Sequence, residues 1–124
     1  MIVYSCPDLI FATKIRATAE ALGVLTRPAR DAQALRHRLE QVDDGRPNEP
    51  VTALMVDLDL GPLALELLEQ AKRHNPDIPV IAYGSHVAKE VLGEARRRGA
   101  DLVLPRSAFV ARLPQLLQQY ADKA

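Results

Sequence analysis

The chain has no tryptophan, a single cysteine and only 4% aromatic residues among its 124 positions. It also lacks any excess of charge, since sixteen basic residues balance sixteen acidic ones. Each shortage excludes something. Cys6 alone cannot form an internal disulfide, and no histidine–cysteine spacing has the form of a zinc site. Without a basic excess, unassisted nucleic-acid binding is not expected. No apolar run approaches the roughly 20 residues needed to cross a bilayer. The opening Met1-Ile2-Val3-Tyr4-Ser5 carries no basic stretch ahead of a long apolar one, so the expectation is a cytoplasmic protein without membrane contact. There is no Walker loop or Gly-x-Gly-x-x-Gly sequence to cradle phosphates, and no Ser/His/Asp or Cys/His set. A small-molecule enzyme therefore has little support, and no enzymatic turnover is expected.

What is present is the make-up of one ordinary globular domain over residues 1–124, with 48% hydrophobic and 26% charged residues. A domain of this length buries roughly two thirds of its unfolded surface and needs no metal to fold. Two hydrophobic periods alternate along it. Ile2-Val3-Tyr4 reads as a buried strand, followed by a helical stripe of Phe11, Ala12, Ile15, Ala19 and Leu22. Asp8 suits the start of that helix and Gly23 its stop. Val24-Leu25-Thr26 reads as a second strand, Ala32, Leu35, Leu39 and Val42 as a second helix, and residues 43–50 as the longest loop.

Ala53-Leu54-Met55-Val56 is apolar without alternation, as expected of a central parallel strand covered on both faces. It ends in Asp57-Leu58-Asp59. Pro62 then suits a first helical turn, and Ala64, Leu67, Leu68 and Ala71 form its buried stripe. Residues 78–83 read as the fourth strand, ending at Gly84-Ser85, and Val87, Ala88, Val91, Leu92 and Ala95 as the fourth helix, stopped at Gly99. Residues 101–104 are the fifth strand, and Phe109, Leu113, Leu116, Leu117 and Tyr120 line the fifth helix. Five such units predict an α/β, flavodoxin-like three-layer sandwich around a parallel five-stranded sheet of order 2-1-3-4-5. Sites in these folds lie at the carboxyl ends of the strands, where Ser5, Cys6, Asp57, Asp59, Gly84, Ser85 and Arg106 all fall.

An apolar strand ending in Asp57, then Gly61, an Asn-Pro-Asp-Ile-Pro-Val-Ile segment, Gly99-Ala100-Asp101 and a basic residue after the fifth strand together resemble a response-regulator receiver domain of the CheY-like superfamily. The resemblance spans essentially the whole chain. It implies that Asp57 is the phospho-acceptor candidate, supplied by a histidine kinase. The rest of the set is altered. Ser5 and Cys6 replace the acidic pair that helps hold magnesium, Gly84 stands at the switch hydroxyl with Ser85 next to it, Arg106 replaces the lysine, and Val103 replaces an aromatic switch residue. The resemblance is to a degenerate receiver.

The chemistry shows what those replacements remove. Phosphoryl transfer to a carboxylate depends on positioning and on neutralising charge at three oxygens. Magnesium prefers hard oxygen ligands, and a thiol at Cys6 is a poor one. Asp57 and Asp59 remain as a weak Mg2+ candidate pair, and they share a face only if the strand continues through both. A guanidinium can pair with a carboxylate in two-pronged fashion, so Arg106 is expected to bridge Asp57 and fill the room of a phosphoryl group. A carboxylate satisfied by helix N-terminal amides is the plainer reading of Asp57. Cys6 reads as a small buried hydrophobe, His37, His74 and His86 as solvent-facing, and Arg96-Arg97-Arg98 as a helix end that complements the dipole.

The expected function is that of a stand-alone signalling module acting by protein contact. The resemblance implies a partner, a histidine kinase or an output protein, on the face made by helix four, strand five and helix five. Lys89, Glu90, Arg97 and Arg112 would lie there, and a homodimer is the other arrangement that face allows. A working phosphorelay receiver phosphorylated on Asp57 is the alternative.

Overall fold

Residues on the central strands alternate between two cores, one on each side of a sheet, because both faces are covered by helices. In this computed structural model, which describes residues 1–40, 42–43, 46–47, 49–84 and 89–121, the sheet has five parallel strands. They are β1 (Ile2–Ser5), β2 (Thr26–Pro28), β3 (Ala53–Asp57), β4 (Val80–Gly84) and β5 (Leu102–Pro105), in the order β2-β1-β3-β4-β5. The intervening helices are α1 (Leu9–Ala21), α2 (Ala32–Leu39), α3 (Pro62–His74), α4 (Lys89–Arg97) and α5 (Arg106–Tyr120). This is the flavodoxin-like sandwich expected from the sequence. No helix among the described residues is long and apolar enough to cross a membrane.

On one face Val3, Leu54, Val56, Val80 and Ala82 pack against α2 and α3 through Leu35, Leu67, Leu68 and Ala71. On the other, Tyr4, Met55, Ile81 and Tyr83 pack against α1 and α5 through Phe11, Ile15, Phe109 and Leu113. Each fully buried Leu or Ile contributes on the order of 1.5–3 kcal/mol relative to exposure. The parity has a consequence for the site. Asp57 continues the Met55 side of β3 and is paired in register with Tyr83, so it belongs to the α1/α5 face.

Helix ends follow their sequence signals. Asp8 caps α1 by accepting from the N–H groups of Ile10 and Phe11 at 2.9 and 3.2 Å. At its other end Gly23, with φ of 71°, lets its own N–H reach Glu20 and the Val24 N–H reach Ala19, closing a Schellman motif. That motif engages Val24, so β2 begins at Thr26 and ends at Pro28, two residues later than the hydrophobic run suggests. Pro28 is tolerated because β2 is an edge strand with no neighbour awaiting its missing N–H.

Three further expectations are corrected. Helix α2 stops at Leu39, and Val42 belongs to a two-residue strand. The stretch over residues 43–50, expected as a loop, contributes to a short antiparallel ladder, Val42–Asp43 against Arg46–Pro47. Strand β5 runs Leu102–Pro105, because the Asp101 carboxylate is engaged on the Val80 N–H ahead of it. Ser85, His86, Val87 and Ala88 lie outside the described residues.

Candidate functional site

Asp57 is the last residue of β3, and its side chain is completely enclosed. The strand does not continue to Asp59. A 3-10 turn over Leu58–Leu60 follows instead, and Asp57 caps it, with Oδ1 accepting from the Asp59 N–H at 2.8 Å. Gly61, with φ of 72°, carries the chain from that turn into α3. The turn brings the second carboxylate back toward the first. Asp57 and Asp59 thus come together by a route other than the extended strand considered from the sequence.

Arg106 holds the two acids together. It is the first residue of α5, directly after β5, and its Nη2 lies 3.0 Å from Asp57 Oδ2 and 3.3 Å from Asp59 Oδ2. The expected bridge to Asp57 is there, but it is not a two-pronged fork: one nitrogen serves two carboxylates. The guanidinium carbon sits 4.6 Å from the centre of the Phe11 ring, a cation–π contact that fixes the plane of the group. Phe11 belongs to an aromatic cluster in which Tyr83 and Phe109 stack with centroids 4.0 Å apart and planes within 9°. Arg106 Nε is buried and has no hydrogen-bond partner among the described residues; the buried Tyr83 hydroxyl makes no hydrogen bond of good geometry there and has only the Cys6 thiol beside it.

Cys6 closes the remaining side. Its thiol lies 3.6 Å from Asp57 Oδ2, where it donates, and 3.4 Å from the Asp8 carbonyl. Burial pushes the thiol above its ordinary range, and the charge of Asp57 adds to that. Such a group is a poor nucleophile, but Cys6 is only partly buried and its thiol meets a carboxylate, so it is not the buried small hydrophobe expected from the sequence. Ser5 points elsewhere: its hydroxyl donates to the Ala29 carbonyl at 2.6 Å, tying β1 to the end of β2. Gly84 is buried at the end of β4 opposite Pro105, and Ser85 lies outside the described residues.

The balance at Asp57 sets its chemistry. Burial raises its carboxyl above the usual range, the Asp59 N–H works against that rise, the Asp59 charge adds to it, and the Arg106 charge again opposes it. Desolvation wins. Attack by Asp57 on a phosphoryl group needs an oxygen with room around it, and Oδ2 is occupied by Arg106 and Cys6. The groups nearest Asp57 are engaged with one another. The guanidinium nitrogen already lies between the two carboxylates, the Asp8 carboxylate caps α1, and Ser5 is turned to Ala29. Among the described residues no three His, Cys, Asp or Glu side chains gather closely enough to hold a metal ion.

Sequence reasoning missed the aromatic support. Phe11, Tyr83 and Phe109 are three of only five aromatic residues in the chain, and that concentration on one face was the available signal. Two arginines of the run at the end of α4 are bound within the protein: Arg97 and Arg98 both pair with Glu94, and Arg98 also reaches Glu69 at 2.8 Å. His37 and His74 are exposed.

No protein-family model and no curated protein sequence matches the chain. Solved structures do. The receiver domain of NtrX from Brucella abortus is 21% identical, with each chain wholly covered and a TM-score of 0.77. A response regulator from Thermotoga maritima is 17% identical over 97% of this chain and 95% of its own, with a TM-score of 0.76. A response regulator protein from Burkholderia pseudomallei, solved with a phosphorylated aspartic acid, calcium ion and citrate, is 23% identical over 97% of this chain and 67% of its own, with a TM-score of 0.74. Against the longer NtrX structure the chain covers 26% of the matched protein. The fold is that of response-regulator receiver domains.

Proposed function

We propose that the chain is a receiver-type signalling module that works by protein contact, without magnesium-dependent phosphorylation and without enzymatic turnover. The observation that carries this reading is the Arg106 Nη2 bridge between Asp57 and Asp59. In a phosphorylatable receiver the charge at this point changes with modification. Here a fixed cation already pairs with both acids, and the Oδ2 of an enclosed Asp57 is taken by Arg106 and Cys6. The ion bridge therefore takes the place of the regulated state. The partner is a histidine kinase or an output protein, contacted through α4, β5 and α5, where Lys89, Glu90, Arg97 and Arg112 are exposed; a second copy of the chain would use the same face.

Phosphorylation at Asp57 is the second reading. It is favoured by the position of this acid at a central strand end with a backbone N–H donating to it. The phosphorylated aspartic acid of the Burkholderia pseudomallei regulator, which shares the fold, also supports it.

An amide NMR titration separates the two, first with magnesium and then with magnesium and beryllofluoride, which mimics an acyl phosphate. A contact module leaves the amides around Asp57 unmoved at millimolar magnesium, with or without beryllofluoride. Shifts centred on Asp57, spreading to Arg106 and α4 and abolished by Asp57→Asn, would replace the first reading with the second.

A further inference from the structure

A cleft of about 570 Å³ runs between α1 and the β2–α2 loop, on the flank of α1 that faces the sheet edge. Its apolar surface comes from Leu9, Ala12, Pro28 and Leu60, with Arg16 and Arg30 among its lining residues. Leu9, Ala12 and Arg16 recur at helical spacing, so one stripe of α1 forms a whole wall. Leu9 is 82% exposed and Ile10 beside it 84%, so two adjacent large aliphatic side chains stand open to solvent at the start of α1.

The charges around this cleft are uncommitted. Arg16 and Arg30 have no ion-pair or hydrogen-bond partner for their side chains among the described residues, and both face the same cleft. From Leu9 to Arg30 there are four basic residues, Lys14, Arg16, Arg27 and Arg30, against the single acid Glu20, in a chain whose net charge is zero. The acids at the cleft's ends, Asp8 and Asp31, are engaged on the N-terminal amides of α1 and α2.

We propose that this cleft binds a segment of a partner protein in which an apolar side chain is flanked by carboxylates. The apolar side chain would cover Leu9, Ala12 and Leu60, and the carboxylates would take Arg16 and Arg30 in paired hydrogen bonds. A concave apolar floor with only two arginines matches a short acidic peptide better than a polyanion, which needs a row of cations. Cys6 also lines the cleft, and its thiol touches Asp57 Oδ2, so occupancy is reported at that carboxylate. The cleft lies away from α4, and the inference holds whether or not Asp57 is ever modified.

The test uses a capped peptide of alternating glutamate and leucine, with lysine-for-glutamate and serine-for-leucine peptides as controls. Binding is followed by amide shifts and by the rate at which Cys6 is alkylated. The glutamate–leucine peptide should shift Leu9, Ala12, Arg16 and Arg30 saturably and slow alkylation of Cys6. Arg16→Glu with Arg30→Glu should weaken it about tenfold or more and admit the lysine–leucine peptide instead. Both positions are exposed, and an unchanged spectrum elsewhere checks the fold of the variant. Shifts scattered over the surface, no shifts, or equal binding of either control peptide to the unmodified chain would overturn the proposal. So would shifts at the cleft that grow with protein concentration alone, which would assign it to a second copy.

Discussion

At the amino ends of the strands Asp101 accepts from Lys72 Nζ at 2.6 Å and from the Val80 N–H at 2.8 Å. At the carboxyl ends Asp57 accepts from Arg106 Nη2 at 3.0 Å and from the Asp59 N–H at 2.8 Å. Each aspartate thus has one cation and one backbone amide, yet the two environments differ. The Asp101 side chain is 47% exposed, and Lys72 gives its other protons to the carbonyls of Pro76 and Ile78. Every donor there has an acceptor. Asp57 is fully buried, Arg106 divides one nitrogen between two acids, its Nε has no partner among the described residues, and the nearby Tyr83 hydroxyl has no well-formed hydrogen bond there. The first arrangement is a staple between α3, β4 and β5. The second keeps unsatisfied donors and a raised carboxyl at the sheet end where parallel α/β folds place their sites.

The comparison breaks first at Arg106. Arg106→Ala leaves a buried carboxylate without its cation, and we predict a loss of about 2–3 kcal/mol, reduced from the fully buried case because the guanidinium is partly exposed. A urea midpoint shift at unchanged slope reads it. Made in an Asp57→Asn background, the same change should cost less than half as much. Equal costs would mean that Arg106 acts only by packing on Phe11. The next effect is at the other end. Lys72→Met should cost about 1–2 kcal/mol, because Asp101 regains water while two carbonyls lose a charged donor. It should leave the amides of Cys6 and Asp57 in place; movement there would mean that the two ends are coupled.

Much of this was legible in the sequence, for reasons that differ by residue. The α3 stripe of Ala64, Leu67, Leu68 and Ala71 is buried as its spacing dictates, because helical periodicity needs no tertiary information. Strand order followed from the alternation of periods and the handedness of crossovers. Strand β2 slipped because Val24 and Leu25 are apolar, while the Schellman hydrogen bond that removes Val24 from the strand is a backbone event. Contact between Arg106 and Asp57 was foreseeable from guanidinium size and topology. Its form was not, because one-nitrogen sharing depends on the 3-10 turn that folds Asp59 back. Phe11 reads as part of a buried helical stripe and Tyr83 as the end of a strand, and both are buried. What the sequence could not disclose is that the guanidinium rests on one and that the hydroxyl of the other ends with no well-formed hydrogen bond.

Tyr83→Phe sharpens that last point. The stacking on Phe109 survives the change and only a hydroxyl without a well-formed hydrogen bond is lost, so the variant should be up to about 1 kcal/mol more stable than the parent. Thermal unfolding at matched concentration measures it. A clear destabilisation would show that the hydroxyl has a partner, with the nearby Cys6 thiol the first to test.

The smallest expected effect carries the most specific signature. Burial holds the Asp57 carboxyl above its ordinary value, so the folded state binds that proton more tightly than the unfolded chain does. The ionised form is therefore a net cost to the fold, present above the folded pKa and absent below the unfolded value of about 3.9. Asp57→Asn keeps an oxygen for the Asp59 N–H and removes the charge. It should be at least as stable as the parent at neutral pH, and its advantage should shrink as pH falls through the Asp57 titration and vanish below it. Glu94, held below its usual range by Arg98 and Arg97, has the opposite sign: its contribution is lost as pH falls. It is common to both proteins, so the difference between their stability curves isolates Asp57. An Asn variant less stable at neutral pH, with the gap closing as pH falls, would mean that the pairing with Arg106 outweighs the burial. The site would then be a second staple like the one at Asp101.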